Sequence, residues 1–411
     1  MKTFNSEEAI LDFLRFMEHS SSPYHAAREL SHRFAHCGFM PLSLKEPWSL
    51  QKGERYFVEE GGAVFAFSLP SEQIEKAIVV ASHTDSPALM LKPHPQKNRD
   101  QLLFYKTEVY GSPILRSYLD RDLLLSGIVI TKQGTKELVS FEEFPCIIPS
   151  PAIHLDQKEE INPELHLLPL IGLDKWPLDF HDFLSFDLFL TPMDPPRRFG
   201  KSRELIASCR IDNLASAYAG MVALVHSTSK NHLMMYAAFN HEEIGSSTDV
   251  GASSPLFQEI FSRIASSLHL NQEEKYATLH KSLCISCDMA QGFHPLYENA
   301  FDPQNTPHLG KGVALKVNAK RRYSSHAATL APLVEVAHRH NLPLQYYAAR
   351  ADKRSGSTIG SLHATATGMA TVDIGAPQLA MHAAREVMAT QDFIDLCYLL
   401  GHSLEECRGP F

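Results

Sequence analysis

The feature that most constrains this fold is a set of four short apolar runs. Each run is followed closely by residues that can bind a metal or move a proton. The runs cover residues 77–81, 233–239, 283–287 and 369–374. Apolar runs of this length predict strands that are buried on both faces, as in parallel sheets. Open α/β sheets bind ligands at the carboxyl ends of such strands. The sequence therefore predicts an α/β fold whose chemistry lies at one edge of a sheet.

The residues near these strand ends are of the types that hold transition metals. After the first run, His83 can offer one ring nitrogen to a metal while Asp85 orients the other. Imidazoles and carboxylates suit Zn²⁺, Mn²⁺ or Co²⁺. One carboxylate shared between two ions, with two more ligands on each side, would activate water and polarise a carbonyl. The candidate set is His83, Asp212, Glu242, Glu243, Asp288 and His382.

Each candidate also has an ordinary structural interpretation. Asp212 precedes a helical pattern at residues 214–224 and could be its N-cap. Glu242 and Glu243 could lie in a solvated turn, Asp288 could cap a strand, and His382 could be a surface histidine. The recurrence of such residues near the ends of apolar runs favours a shared metal site.

Length and composition predict two domains and a cytoplasmic location. A chain of 411 residues exceeds one ordinary core. From about residue 93 to residue 200 it is rich in prolines and short alternating runs, which predicts a β-rich insertion, and helical and strand patterns alternate afterwards. The net charge of −9 argues against a nucleic-acid partner. No apolar run approaches the ~20 residues that span a bilayer, and the polar, acidic N-terminus lacks a signal peptide's apolar region.

The seven cysteines are odd in number and irregularly spaced, which favours reduced thiols over a disulfide framework. Cys284 and Cys287 lie within a predicted strand and have no second pair to complete a metal site. They are therefore predicted to be core residues.

A series of short motifs along nearly the whole chain resembles the aspartyl aminopeptidase family of two-metal aminopeptidases. The resemblance implies a catalytic α/β/α domain with a mixed sheet, formed by residues 1–92 and 206–411. It also implies a β-rich dimerisation domain at residues 93–205 and a homododecamer built from dimers. The motifs occupy residues 22–26, 82–87, 120–123, 152–155, 210–214, 241–246, 288–290, 294–295, 316–318, 322–323, 356–360 and 381–382.

The resemblance also implies a role for each candidate ligand. His83 and Asp288 would bind one divalent ion, Glu243 and His382 the other, and Asp212 both. The ions would be Zn²⁺, with Mn²⁺ or Co²⁺ as alternatives.

The same resemblance assigns roles to residues that do not bind the ions. Glu242 would be the general base, and Asp85 would orient His83. His154 would reach into a neighbouring subunit's site. The peptide bond between Asp212 and Asn213 would be cis.

The expected activity is removal of N-terminal residues, Asp or Glu above all, from peptides. Such a preference needs a cation, and the resemblance implies Lys316, which matches the family's pocket lysine ahead of residues 322–323. Strand alternation would point its side chain away from both strand neighbours. Its alternative is a solvated position on a half-buried strand. His294 and Tyr323 complete the predicted substrate-binding set. The other functions considered are a related two-metal deacylase or carboxypeptidase and a non-catalytic assembly protein.

Overall fold

The structure, a computed structural model, describes residues 5–155 and 160–411. Its helices, numbered in chain order, are α1 (Ser6–His19), α2 (Pro23–His36), α3 (Pro163–His166), α4 (Ile211–His226), α5 (Leu256–Ser267), α6 (Gln272–Lys281), α7 (Ala327–Arg339), α8 (Ile359–Thr367) and α9 (Thr390–Glu406). Its strands are β1 (Met40–Pro41), β2 (Arg55–Glu60), β3 (Ala63–Ser68), β4 (Lys76–His83), β5 (Ala88–Arg99), β6 (Leu102–Tyr110), β7 (Asp122–Thr131), β8 (Lys136–Ser140), β9 (Cys146–Ile147), β10 (Leu170–Gly172), β11 (Phe183–Pro192), β12 (Arg197–Phe199), β13 (Leu205–Ser208), β14 (His232–Phe239), β15 (Leu283–Cys287), β16 (Ala290–Gln291), β17 (Val313–Lys316), β18 (Leu344–Tyr347), β19 (Ala370–Gly375), β20 (Pro377–Leu379) and β21 (Glu386–Ala389).

The largest sheet is mixed and has nine strands in the order β1-β2-β3-β14-β4-β15-β19-β17-β18. The four strands predicted from the apolar runs, β14, β4, β15 and β19, are adjacent at its centre and mutually parallel. Their carboxyl ends therefore meet at one edge of the sheet, and the predicted α/β class with a mixed sheet is confirmed.

Helices cover both faces of this sheet because the side chains of its central strands alternate between two cores. On β4, Ile78 and Val80 belong to a core that also contains residues of α1, α2, α4, α7 and α9. Ala77 and Val79 belong to the opposite core, with residues of α5 and α8. Gly220 lets α4 approach the sheet closely, since a Cβ there would lie 2.9 Å from atoms of Val80 and Tyr236.

A second sheet has seven antiparallel strands in the order β11-β5-β6-β10-β9-β7-β8, and β11 also pairs with β7. This extra pairing closes the sheet on itself around a separate apolar core. All seven strands lie between Ala88 and Pro192. A third sheet has the order β12-β13-β21-β20-β16. Because β5 and β13 cross the predicted boundaries at 92/93 and 205/206, the division into two domains stays a prediction.

Several local predictions can be compared with the described residues. Cys284 and Cys287 are fully buried free thiols, as predicted. Ser22 caps α2 by accepting a hydrogen bond from the backbone N–H of His25. Within residues 5–155 and 160–411, no helix has the length and apolar character needed to cross a bilayer.

Candidate metal centre

The candidate ligands converge at the carboxyl edge of the central parallel strands. His83 is the last residue of β4, Glu242 and Glu243 form a 3₁₀ turn just after β14, and Asp288 directly follows β15. His382 lies between β20 and β21. The order of the strands in the sheet thus places side chains together that are far apart in sequence.

Asp212 belongs to the same group of candidates but lies at the start of a helix, α4, and not at the end of a strand. Its own dihedrals, φ −78° and ψ 109°, are not helical, and the peptide bond to Asn213 is cis, as the resemblance implied. Oδ1 of Asp212 has no hydrogen-bond partner among the described residues, and no described backbone N–H of α4 donates to this side chain, so the interpretation of Asp212 as a helix cap was wrong. Ser86 holds the Asp212 backbone by donating its hydroxyl hydrogen to the Asp212 carbonyl oxygen over 2.7 Å.

Both histidines are held with Nε2 turned towards the carboxylates. Nδ1 of His83 lies 3.0 Å from the backbone oxygen of Asp85, and Nδ1 of His382 lies 3.0 Å from the backbone oxygen of Ser112. A carbonyl oxygen only accepts hydrogen bonds, so Nδ1 carries the hydrogen in each ring. In the neutral ring this leaves a lone pair on Nε2, the form that binds metals.

The two Nε2 atoms face different oxygens of the same carboxylate. His83 Nε2 is 3.6 Å from Asp212 Oδ1, and His382 Nε2 is 3.8 Å from Asp212 Oδ2. His83 Nε2 is also 3.6 Å from Asp288 Oδ1, and His382 Nε2 is 3.6 Å from Glu243 Oε1. Two ligands that bind one Zn²⁺ at about 2.1 Å with a tetrahedral angle stand about 3.4 Å apart. These spacings therefore fit one ion on each side of Asp212.

The carboxylates are crowded and buried, which is costly without a cation. Burial, then the charge of Asp288, raises the pKa of Asp212 well above its usual range. Burial, then the charge of Asp212, does the same to the pKa of Glu243. Oδ1 of Asp212 and Oδ1 of Asp288 are buried and have no hydrogen-bond partner among the described residues. Unpartnered buried oxygens of this kind fit a site that holds divalent ions.

Asp85 positions neighbouring residues at this edge and is not itself among the candidate ligands. One carboxylate oxygen accepts the backbone N–H of Glu242, and the other accepts the backbone N–H of Glu243, both over 3.1 Å. Tyr110 donates its hydroxyl hydrogen to Asp85 over 2.9 Å. Oδ1 of Asp85 is also 3.3 Å from Nδ1 of His83. Asp85 therefore fixes one histidine and both glutamates together.

Glu242 and Glu243 differ in exposure although they are neighbours. The Glu243 side chain is 4% exposed and that of Glu242 is 17% exposed, so the interpretation of the pair as a solvated turn was wrong. Glu242 Oε2 lies 3.9 Å from His83 Nε2. Burial, partly offset by His83, raises the pKa of Glu242 to about 7.

Lys316 provides a buried positive charge beside the ligands. Its Nζ donates a hydrogen to the backbone oxygen of Met289 over 2.7 Å and lies 3.8 Å from Asp288 Oδ2. The ring of Tyr323 lies beneath it, with its centroid 5.5 Å from Nζ. Because Lys316 is only 2% exposed, the alternative of a solvated lysine was wrong.

The sequence analysis missed Glu386, which supports the centre from behind. One of its oxygens accepts the backbone N–H of His382 over 2.7 Å, and the other accepts that of Asp212 over 3.1 Å. Burial raises the pKa of Glu386 to about 8. Its signal in the sequence, an isolated carboxylate before the apolar residues 387–389, is too weak to be identified alone.

Two predicted substrate residues, His154 and His294, are not joined to the centre by hydrogen bonds among the described residues. His154 is exposed between the exposed apolar side chains of Ile153 and Leu155. His294 begins a 3₁₀ turn and accepts the backbone N–H of Leu296. No hydrogen bond or ion pair joins either histidine to the other candidate residues that the structure describes.

Sequence comparisons connect the chain with known peptidases. A family model described as aminopeptidase I zinc metalloprotease (M18) matches residues 16–179 and 164–402. The probable M18 family aminopeptidase 2 of Clostridium acetobutylicum is 33% identical over 417 residues, covering 94% of this chain and 96% of that protein. Aspartyl aminopeptidase 1 of Schizosaccharomyces pombe is 33% identical over 447 residues, covering 95% of this chain and 93% of that protein.

Solved structures share the fold over nearly the whole chain. A chain in the cryo-EM structure of the Ape4 and Nbr1 complex is 32% identical with a TM-score of 0.90, covering 97% of this chain and 86% of that one. A chain of the S. cerevisiae mApe1 dodecamer is 21% identical with a TM-score of 0.83, covering 97% of this chain and 96% of that one. The likeness to mApe1 concerns the fold alone.

Proposed function

Because this chain belongs to the aminopeptidase I (M18) zinc metalloprotease family, we propose that it removes N-terminal residues, preferentially Asp and Glu, from peptides at a two-metal centre. Family membership establishes the class of enzyme, a metal-dependent aminopeptidase. One observation carries the proposal of two ions: the Nε2 atoms of His83 and His382 face opposite oxygens of Asp212, at 3.6 and 3.8 Å.

In this proposal the ligands divide into two sets around Asp212. His83 and Asp288 would hold one ion, Glu243 and His382 would hold the other, and each oxygen of Asp212 faces one of these sides. When bound, divalent ions, Zn²⁺ by the family description, would lower the pKa of water and polarise the scissile carbonyl. Asp85 and Glu386 act through the ligands, since both hold ligand backbones in place.

Glu242 is the proposed general base. It is more exposed than Glu243, and its backbone is anchored to Asp85, so the carboxylate can accept a proton without leaving the site. The same carboxyl group can then donate that proton to the amine of the leaving peptide. A pKa raised towards neutrality suits both transfers, because proton exchange is most efficient when the pKa of the group lies near the working pH.

Lys316 is the proposed determinant of the acidic preference. One hydrogen of its ammonium group is used by Met289, which leaves two for a substrate carboxylate. A neutral substrate residue would leave these two buried N–H groups without a hydrogen bond, and that loss discriminates against it. Tyr323 supports the ammonium group through its ring.

The proposal includes assembly of dimers into a dodecamer, the state named for the S. cerevisiae relative. The exposed Ile153, His154 and Leu155 belong to the segment that would meet a neighbouring subunit. His154 would complete the neighbour's site. A monomer isolated by size and loaded with metal should then be nearly inactive, and a fully active monomer would contradict this part.

A screen of aminoacyl reporter substrates with Zn²⁺, Mn²⁺ or Co²⁺ added tests the function. We expect release of N-terminal residues, with kcat/KM for Asp or Glu about tenfold or more above that for Leu. Lys316→Ala should abolish this preference and retain activity on Leu reporters, while Lys311→Ala, an exposed lysine nearby, should change neither.

Three results of that screen would contradict the proposal. Release of residues only from the C-terminus would indicate a carboxypeptidase, and hydrolysis of acylated amino acids alone would indicate a deacylase. Equal kcat/KM for Asp and Leu reporters in the wild type would overturn the acidic preference while leaving the aminopeptidase activity.

A further inference from the structure

A large cavity outside the metal centre carries an unusual concentration of positive charge. Its volume is about 1060 Å³, and it is lined by two loops, at residues 317–322 and 348–355, and by the start of α7. Six of its lining residues are cationic, and none of the described lining residues is Asp or Glu. The chain as a whole has a net charge of −9, so this surface opposes the overall charge. The cations are Lys320, Arg321, Arg322, Arg350, Lys353 and Arg354.

Most of these charges have no ion-pair partner among the residues that the structure describes. Arg321 donates to the backbone oxygens of Ser324 and Ser325, and Arg322 donates to that of Ser355. Carbonyl oxygens satisfy the N–H groups but cancel no charge.

Of the other four cations, one is neutralised by a carboxylate. Arg350 pairs with Asp352 over 2.8 Å. Lys320, Lys353 and Arg354 are exposed, and their side chains make no hydrogen bond or ion pair with a residue that the structure describes. The cavity therefore retains positive charge that a ligand can neutralise.

The cavity adjoins the proposed catalytic centre. Its lining begins at Val317, directly after Lys316, and the first loop ends at Arg322, directly before Tyr323. Asn318 connects the two loops by donating its side-chain N–H to Ser355 Oγ over 3.0 Å. The side chain of Lys316 itself reaches Asp288. The cavity therefore begins one residue beyond the lysine that is proposed to contact the first side chain of the substrate.

We propose that this cavity binds acidic side chains in the part of a peptide substrate that follows the scissile bond. The inference rests on the proposed aminopeptidase function and extends it from the first residue to those downstream. An extended peptide advances about 3.3 Å per residue, so three residues reach about 10 Å from the cleaved bond. The N-terminal end of α7 lies in the same cavity, and its partial positive charge also favours carboxylates.

The test compares two pentapeptides that share an N-terminal Asp: Asp-Ala-Ala-Ala-Ala and Asp-Ala-Glu-Glu-Ala. For the wild type, kcat/KM should be about 3- to 10-fold higher for the second peptide, the scale expected of two or three exposed ion pairs. At about 1 M salt, where the screening length is only about 3 Å, this advantage should disappear.

Two double variants that lose the same amount of positive charge distinguish the effect of the cavity from the effect of the overall charge. Lys353→Ala/Arg354→Ala removes two unpaired cations from the cavity and should abolish most of the advantage. Lys45→Ala/Lys52→Ala removes two exposed lysines outside the cavity and should preserve it. All three proteins should hydrolyse aspartyl p-nitroanilide, which is too short to reach the cavity, at the same rate.

The outcomes distinguish this inference from the proposed function. Equal kcat/KM for the two peptides in the wild type, or an equal advantage in both double variants, would overturn the inference while hydrolysis of the reporter upholds the aminopeptidase. If the wild type releases no N-terminal residue from any of these substrates, the proposed function itself fails.

Discussion

The geometry of the candidate centre depends on residues that bind nothing themselves. Asp85 and Glu386 accept hydrogen bonds from the backbones of Glu242, Glu243, Asp212 and His382. Mutation of a group that orients a metal ligand in this way typically lowers metal affinity by about 10–100-fold.

Glu386→Gln tests this supporting role. The amide keeps the size of the side chain but places an NH₂ group where one of two backbone N–H groups now donates. We expect about 10–100-fold weaker metal binding, measured by competition with a chelator, and activity restored by excess metal. Glu137→Gln, an exposed change on β8, is the control. Unchanged metal affinity in Glu386→Gln would contradict the assignment.

At the scale of elements, the fold was most predictable where periodicity is strongest. The central strands β4, β14, β15 and β19 follow from the four apolar runs. The residues near the carboxyl ends of these strands could be identified as candidates, because parallel strands bring such residues to one edge.

The remaining parts of the site depend on contacts that no local pattern encodes. Tyr110 ends a strand of the second sheet, and Glu386 begins a strand of the third, so each meets the centre only through tertiary packing. Lys316 left two interpretations open because strand alternation gives the face of a side chain but not what covers that face.

The pairing of β19 with β15 holds Asp288 in position. The substitution Gly375→Ala, at the end of β19, tests this role. A Cβ at Gly375 would lie 1.8 Å from the backbone oxygen of Asp288, so that backbone must shift. We expect a loss of about 1–3 kcal/mol in the free energy of unfolding and weaker binding of one ion. At Gly172 the nearest atom to a Cβ is 3.8 Å away, so Gly172→Ala should change neither quantity. Wild-type stability in Gly375→Ala, measured by denaturant titration, would oppose this account.

For the molecule as a whole, the buried carboxylates make stability depend on metal and pH together. Burial raises the pKa of Asp212, Glu243 and Glu386, the last to about 8, and the neighbouring carboxylates of Asp288 and Asp85 raise that of His83 despite burial. A group with a raised folded pKa stabilises the protein at low pH, and its contribution is lost as pH rises through that value. His382 has a lowered pKa and opposes this trend only below its ordinary value of 6.5.

The metal-free protein should therefore lose stability as pH rises from about 6.5 to about 8. The metal-loaded protein should change less, since the ions neutralise the same carboxylates. Thermal unfolding with and without chelator measures both, and Asp212→Asn should flatten the metal-free profile. A metal-free Tm that rises over this pH range would show that the carboxylates are not held as described.

Metal content, measured together with kcat, tests the central claim most directly. The claim is that two ions share Asp212 and that Glu242 stays free to act as the base. Bound metal per chain and kcat should be measured together for the wild type, Asp212→Ala and Glu242→Gln. Asp212→Ala should lose both ions, whereas Glu242→Gln should retain both and lose about 10²–10⁴-fold in kcat. Full metal content with normal activity in Asp212→Ala, or near-normal kcat in Glu242→Gln, would contradict the account.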